Sequence, residues 1–228
     1  MVVSAMTSNL PAAVLWDLDG TIVDTEPYWI TAEMELCEVF SATWTHEDAI
    51  AVVGQGLPHT ASLMRSRGVD LTIDEIIQSM TSRVLELLEV AVPWRPGAVE
   101  LMKEIQAVGI PQAMVTMSIE RMGRAVARLI PGDPLSLVVS GDHVSASKPD
   151  PEAYLLAAER LGVKISECVA FEDSPAGCTS AHTAGAFTIG VPHIVSLDNV
   201  VTAMKLDSLA GVSADDVISY YQQDRGAL

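Results

Sequence analysis

The sequence predicts an α/β fold: a parallel sheet with helices on both faces and an all-helical domain inserted after the first strand. Three observations predict it. After residue 97, short apolar runs bounded by turn residues alternate with helical periods, the pattern of strand–helix–strand units joined by right-handed crossovers. The apolar runs are continuous rather than alternating, as strands covered on both faces require. Residues 25–96, by contrast, carry helical periods and no strand run, so this stretch stands outside the sheet.

In chain order, the first strand is expected over Ala12–Trp16. The insert follows at once, with helical periods over Trp29–Phe40, Thr60–Arg67 and Ile73–Glu89. The chain returns at Pro93–Gly97, where prolines mark a second crossing. Val99, Met102, Ile105 and Val108 fall on one helical face that stops at Gly109. A second strand is expected over Gln112–Thr116, then a helix through Met122, Val126 and Leu129, and a third strand over Leu135–Val139. Pro151 opens a helix that runs through Leu155, Ala158 and Leu161 to Gly162. Strands over Cys168–Phe171 and Ala186–Val191 flank a helix that begins near Pro175. The expected domains are a Rossmann-like three-layer core made of 1–24 and 97–228 and a helical insert, 25–96. Such an insert would overhang the sheet edge at which open α/β folds bind ligands.

Of the 228 residues, 49% are hydrophobic and 19% charged, and the mean hydropathy is +0.31. That is too apolar for a disordered chain and long enough for one or two domains with a sizeable core. Thirty acids against thirteen Lys and Arg leave a net charge of −17, so neither nucleic acid nor an anionic membrane is an expected partner. No Lys or Arg precedes Arg65, whereas nine acids do; a cation would be favoured there. Cys37, Cys168 and Cys178 are odd in number and form no C-x-x-C pair, which fits neither a disulfide framework nor a zinc knuckle. With no basic leader segment and no apolar run near the roughly 18 residues of a membrane span, a cytoplasmic protein is expected, as monomer or homodimer.

The first strand ends in Asp17-Leu18-Asp19-Gly20-Thr21, which sends two carboxylates and a hydroxyl off one sheet edge. Adjacent anions either share a proton or neutralise a metal; Asp-Gly equally fits a plain turn. Three further sites each follow a predicted strand. Thr116-Met117-Ser118 offers a hydroxyl and free amides at a helix N-terminus, a geometry that favours a phosphate or simply caps the helix. Ser147-Lys148-Pro149 holds one of only four lysines in the chain, a type usually solvated on the surface. Glu172-Asp173 is an acid pair suited to Mg²⁺ as hard oxygen ligands, or to capping the next helix.

Taken in order, D-x-D-G-T, Thr, Lys-Pro and Glu-Asp resemble the signature of the haloacid dehalogenase superfamily from Asp17 to Asp173. The insert resembles the subclass with a small α-helical cap, which includes sugar-phosphate phosphatases and β-phosphoglucomutase. The run Asp17–Pro27, DLDGTIVDTEP, looks especially like the cap-bearing phosphatases. The resemblance implies Asp17 as nucleophile, Asp19 as acid/base, and Thr116, Met117 and Lys148 as phosphate holders. It implies Mg²⁺ among Asp17, Asp19, Glu172 and Asp173, Asp19 through its backbone carbonyl, and a small phosphorylated metabolite as substrate. In the insert, Val53-Gly54-Gln55-Gly56-Leu57-Pro58-His59 resembles the subclass's specificity loop, so Gly54 and His59 are expected to meet substrate.

The chemistry agrees with those roles. Attack by Asp17 on phosphorus gives an aspartyl phosphate and splits one difficult hydrolysis into two easier steps. Positive charge from Mg²⁺ and Lys148 offsets the repulsion between a carboxylate and a phosphate dianion. Asp19 must start protonated to serve the leaving alcohol, then take a proton from water. A phosphomutase is the alternative enzyme, but Val53 and Leu57 stand where the mutase carries basic residues, and residues 25–96 hold four basic residues against eleven acids. A signalling receiver domain also uses a phospho-accepting Asp, a Thr/Ser and a Lys-Pro, but it has no cap and no acid two residues after the acceptor. Dehalogenation is disfavoured because displacing halide needs no acid at Asp19.

Overall fold

The computed structural model describes residues 10–53 and 56–226. Its sheet is six-stranded and parallel, in the order β3-β2-β1-β4-β5-β6, with β1 at Ala13–Trp16, β2 at Gln112–Val115, β3 at Leu137–Val139, β4 at Cys168–Glu172, β5 at Phe187–Gly190 and β6 at Met204–Lys205. All four residues of β1, and all five of β4, are buried, which is why their sequences read as unbroken apolar runs. Five strands lie where the sequence predicts them, within two residues at any end. The two-residue β6 carries too little pattern to be foreseen.

Alternate residues of the strands face two helical layers. Ala13 and Leu15 of β1, with Ala113, Val115, Cys168 and Ala170, pack against α7 (Glu152–Leu161) and α8 (Pro175–Ala184). On the opposite face, Gln112 accepts a hydrogen bond from Trp16 Nε1 at 2.9 Å and donates to the Met102 carbonyl at 2.8 Å, joining β1 and β2 to α5 (Ala98–Ala107). A buried amide is tolerated there because both its ends are satisfied. The Trp16 and Phe171 rings stack at 4.4 Å across paired positions of β1 and β4. On that same face, α6 (Glu120–Leu129) brings Gly123 against Val138 and Met114. The three-layer α/β core is thus the predicted one.

Two helical faces differ from expectation. In α7 the buried face is Ala153, Tyr154, Ala157 and Ala158, while Leu155 is 44% exposed. Leu129 of α6 is 40% exposed. Small residues let α7 approach the sheet closely, so the stripe follows alanines and one tyrosine rather than the leucines. A C-terminal helix, α9 (Ala214–Gly226), was not foreseen.

The chain divides into two compact units. One runs through Ile22 and resumes at Trp94; the other is Val23–Pro93. The second holds α1 (Glu26–Val39), α2 (His46–Ala51), α3 (Leu57–Ser66) and α4 (Ile73–Val90). Ile76, Met80, Val84 and Leu88 of α4 and Trp29, Ala32 and Cys37 of α1 are buried in it. Arg83 grips Glu35 through Nε and Nη2 at 2.6 and 3.1 Å, tying α4 to α1. The six-residue α2 is too short to show a period; a reciprocal capping box between Thr45 and Asp48 starts it. Among the described residues, no helix is long and apolar enough to cross a membrane, and Cys37, Cys168 and Cys178 are free and buried.

Candidate active site

β1 lies between β2 and β4, so connections leave it in opposite directions and a crevice opens beyond its C-terminal end. Trp16 pairs with Phe171 in register. The next residues, Asp17 and Glu172, therefore emerge side by side at that edge. The chain then turns at once: Gly20 adopts φ +91°, and a Cβ there would lie 2.1 Å from Asp173 Oδ2. Glycine is needed at this position both for the left-handed backbone and for the room it leaves the Asp173 carboxylate.

Lys148 organises the cluster. Its Nζ donates to Asp17 Oδ1 at 2.7 Å, to Glu172 Oε1 at 2.6 Å and to the Val115 carbonyl at 2.9 Å. The side chain is only 5% exposed, so the surface-lysine reading is set aside. Burial works against its ammonium, but Asp17 and Glu172 outweigh that and push its pKa up. Tyr154 donates to the same Glu172 oxygen at 2.7 Å; burial and nearby Glu172 push its phenol well above the usual range.

Asp17, Glu172 and Asp173 offer carboxylate oxygens that all lie within 4.8 Å of one another. Burial first, and then Glu172, push Asp17 up to about 7, against the pull of Lys148. Burial, with Asp17 and Glu172 beside it, also pushes Asp173 well above its ordinary value. Three carboxylates share one ammonium, and hard oxygen donors around an excess of negative charge fit a divalent cation such as Mg²⁺.

Asp19 projects differently. Its Oδ2 accepts from the Ser118 hydroxyl at 2.7 Å and from the Thr116 hydroxyl at 3.4 Å. Thr116 Oγ1 in turn accepts from the Ser118 amide at 3.0 Å. The hydroxyl of Thr116, expected to hold phosphate, and that of Ser118 are thus both joined to the expected acid/base. Met117 turns its side chain back toward the core, where its sulfur accepts from the Lys148 amide at 3.4 Å.

The helical unit holds the remaining sites. Gly54 lies outside the described residues. His59 is exposed in the first turn of α3. Arg67, at the end of α3, pairs with Asp48 at 2.5 Å and lies 4.9 Å from the centre of the Trp44 ring. Two contributors at the sheet edge were missed as site residues from sequence. Ser118 was read as part of a capping or phosphate turn, and Tyr154 was hidden in a helix whose leucines drew the period.

The sequence matches the family of haloacid dehalogenase-like hydrolases over residues 11–185. It is similar to the phosphorylated carbohydrates phosphatase of Thermotoga maritima, with 29% identity over 92% of this chain and 98% of that protein. It is also similar to the fructose-1-phosphate phosphatase of Escherichia coli, 31% identical over 79% of this chain and 96% of that one. Among solved structures, CbbY from Rhodobacter sphaeroides in complex with phosphate superposes with a TM-score of 0.81 at 26% identity, covering 89% of this chain and 96% of that chain. A family match spanning most of the chain, on a parallel core that gathers its acids around one lysine, leads to one conclusion: this chain belongs to the haloacid dehalogenase-like hydrolases.

Proposed function

We propose that the protein is a Mg²⁺-dependent phosphatase of small phosphorylated metabolites, sugar phosphates or similar monoesters, working through an aspartyl phosphate. The observation that carries this reading is the buried Lys148 ammonium bonded to both Asp17 and Glu172, with Asp173 beside them. Lys148 holds Asp17 in place and brings positive charge to a phosphate approaching it. Asp17 attacks phosphorus, and the leaving alcohol takes its proton from Asp19. Asp19 then takes a proton from the water that attacks the phosphoenzyme. Thr116 and Ser118 exchange Asp19 for phosphate oxygens during binding, with the Met117 amide as a third donor. Asp17, Asp173 and the Asp19 backbone carbonyl would hold Mg²⁺, with Glu172 completing the anionic ring. When bound, the ion supplies positive charge against the repulsion between phosphate and carboxylates. Residues 25–96 would serve as the cap that chooses the leaving group, with Gly54 and, in the first turn of α3, His59 as its substrate contacts.

The names of the relatives support a phosphorylated carbohydrate as substrate. The charge of the helical unit favours phosphatase over mutase. A mutase must grip a second phosphate, yet Arg67 is engaged by Asp48 and Trp44, and Arg83 by Glu35 and Glu86. The test is a panel of hexose, hexitol and pentose phosphates. Inorganic phosphate is expected in step with substrate loss; isomeric sugar phosphate formed faster than free phosphate would reverse the choice.

A further inference from the structure

Tyr154 has no role in the scheme above, yet it is fully buried and its hydroxyl ends on the oxygen of Glu172 that also receives Lys148. We infer that Tyr154 is a positioning residue for phosphoryl transfer: it fixes Glu172, and Glu172 fixes Lys148 against Asp17. The inference rests on the phosphatase reading.

An ammonium has three N–H donors, and those of Lys148 go to Asp17, Glu172 and the Val115 carbonyl. Of these acceptors only the carbonyl is fixed by the backbone. Glu172 must be held by its own surroundings if it is to direct the lysine. Its carboxylate packs against α8, where a Cβ on Gly177 would lie 1.9 Å from Oε2 and 2.0 Å from Oε1. The Ser174 hydroxyl reaches Oε2 only weakly, at 3.3 Å. Oε1 takes the short bond from Tyr154 at 2.7 Å. Removing that donor leaves the carboxylate held by Lys148 and the long Ser174 contact, so Glu172 directs the lysine less firmly. The Tyr154 ring also stands 5.1 Å from Lys148 Nζ. Tyr154→Phe keeps that face and the helix packing while deleting only the hydroxyl.

The experiment compares wild type, Tyr154→Phe, Glu172→Gln and the double variant on p-nitrophenyl phosphate with Mg²⁺, alongside the thermal midpoint of each. Tyr154→Phe is expected to remain folded at the assay temperature and to lose about tenfold in kcat with KM within about twofold, because nucleophile placement is realised in the transition state. The double variant is expected to be no slower than Glu172→Gln alone, since both act through one carboxylate. A wild-type kcat in Tyr154→Phe, losses that multiply in the double variant, or a kcat loss matched by a loss of folded protein would each overturn the inference. Wild-type protein that releases no phosphate would overturn the phosphatase reading and the inference with it, so the two failures are told apart.

Discussion

Lys148 Nζ and Asp17 Oδ1 stand 2.7 Å apart although 131 residues separate them along the chain. The ammonium keeps a buried carboxylate oriented while two other acids crowd it. Lys148→Ala is therefore expected to damage binding and rate together, raising KM and lowering kcat, with kcat/KM down by about a hundredfold or more. A steady-state profile like that of wild type would remove Lys148 from the site.

The two aspartates of the first strand's turn are expected to fail in different ways. Asp17→Asn removes the nucleophile, and turnover should be lost while the protein folds normally. Asp19→Asn keeps the nucleophile but lacks the proton donor and base, so phosphoenzyme should form slowly and persist. Acid-quenched phosphoprotein measured with labelled substrate separates them. Wild-type turnover by Asp19→Asn would reverse the assignment of roles.

Metal removal should silence the enzyme. Chelation is expected to abolish hydrolysis, Mg²⁺ to restore it, and Ca²⁺ to inhibit, because its roughly 6–8 oxygen ligands can engage both oxygens of Asp17. Mg²⁺ should also raise the thermal midpoint of the wild type by binding the folded state, and should do so less in Asp173→Asn. Full activity after exhaustive chelation would rule the metal out.

The helical unit carries its own pH dependence. Glu33 is buried and accepts from Trp44 Nε1 at 3.1 Å; burial pushes its carboxyl from 4.5 up to about 7. The fold therefore prefers the neutral acid. Its contribution to stability is complete below pH 4.5, declines as the pH rises toward about 7, and is gone above that. Glu33→Gln keeps an acceptor for Trp44 and removes the ionisation, so its thermal midpoint should exceed that of wild type by several degrees at pH 8 and match it near pH 4.5. A difference that stays constant across this range would contradict the assignment.

The sheet and most of the edge chemistry were legible in the sequence for a physical reason. Strands buried on both faces leave unbroken apolar runs, and their C-terminal ends are where ligands of such folds bind, so Asp17, Thr116 and Glu172 were marked by position as well as by type, and Lys148, nine residues beyond β3, by the Lys-Pro pair. Tyr154 was not, because hydropathy weighted Leu155 and Leu161 in a helix that packs through alanines. Ser118 was visible as a hydroxyl, but its bond to Asp19 joins two different strand ends, and no local pattern records that. The short helix α2 depends on the Thr45–Asp48 capping box, a two-residue signal inside a stretch with no period.

The strand order has a consequence for the order in which the chain is made. β1 is made before both of its neighbours, and one of its edges is covered by β2 about a hundred residues later. The other waits for β4, since Ala13 pairs with Cys168. Until then β1 presents a bare, wholly apolar edge, the kind of surface on which strands of separate chains join. The nascent protein is most exposed to aggregation until β4 has been made, and the same strand that closes that edge delivers Glu172 and, just beyond its end, Asp173 to the site.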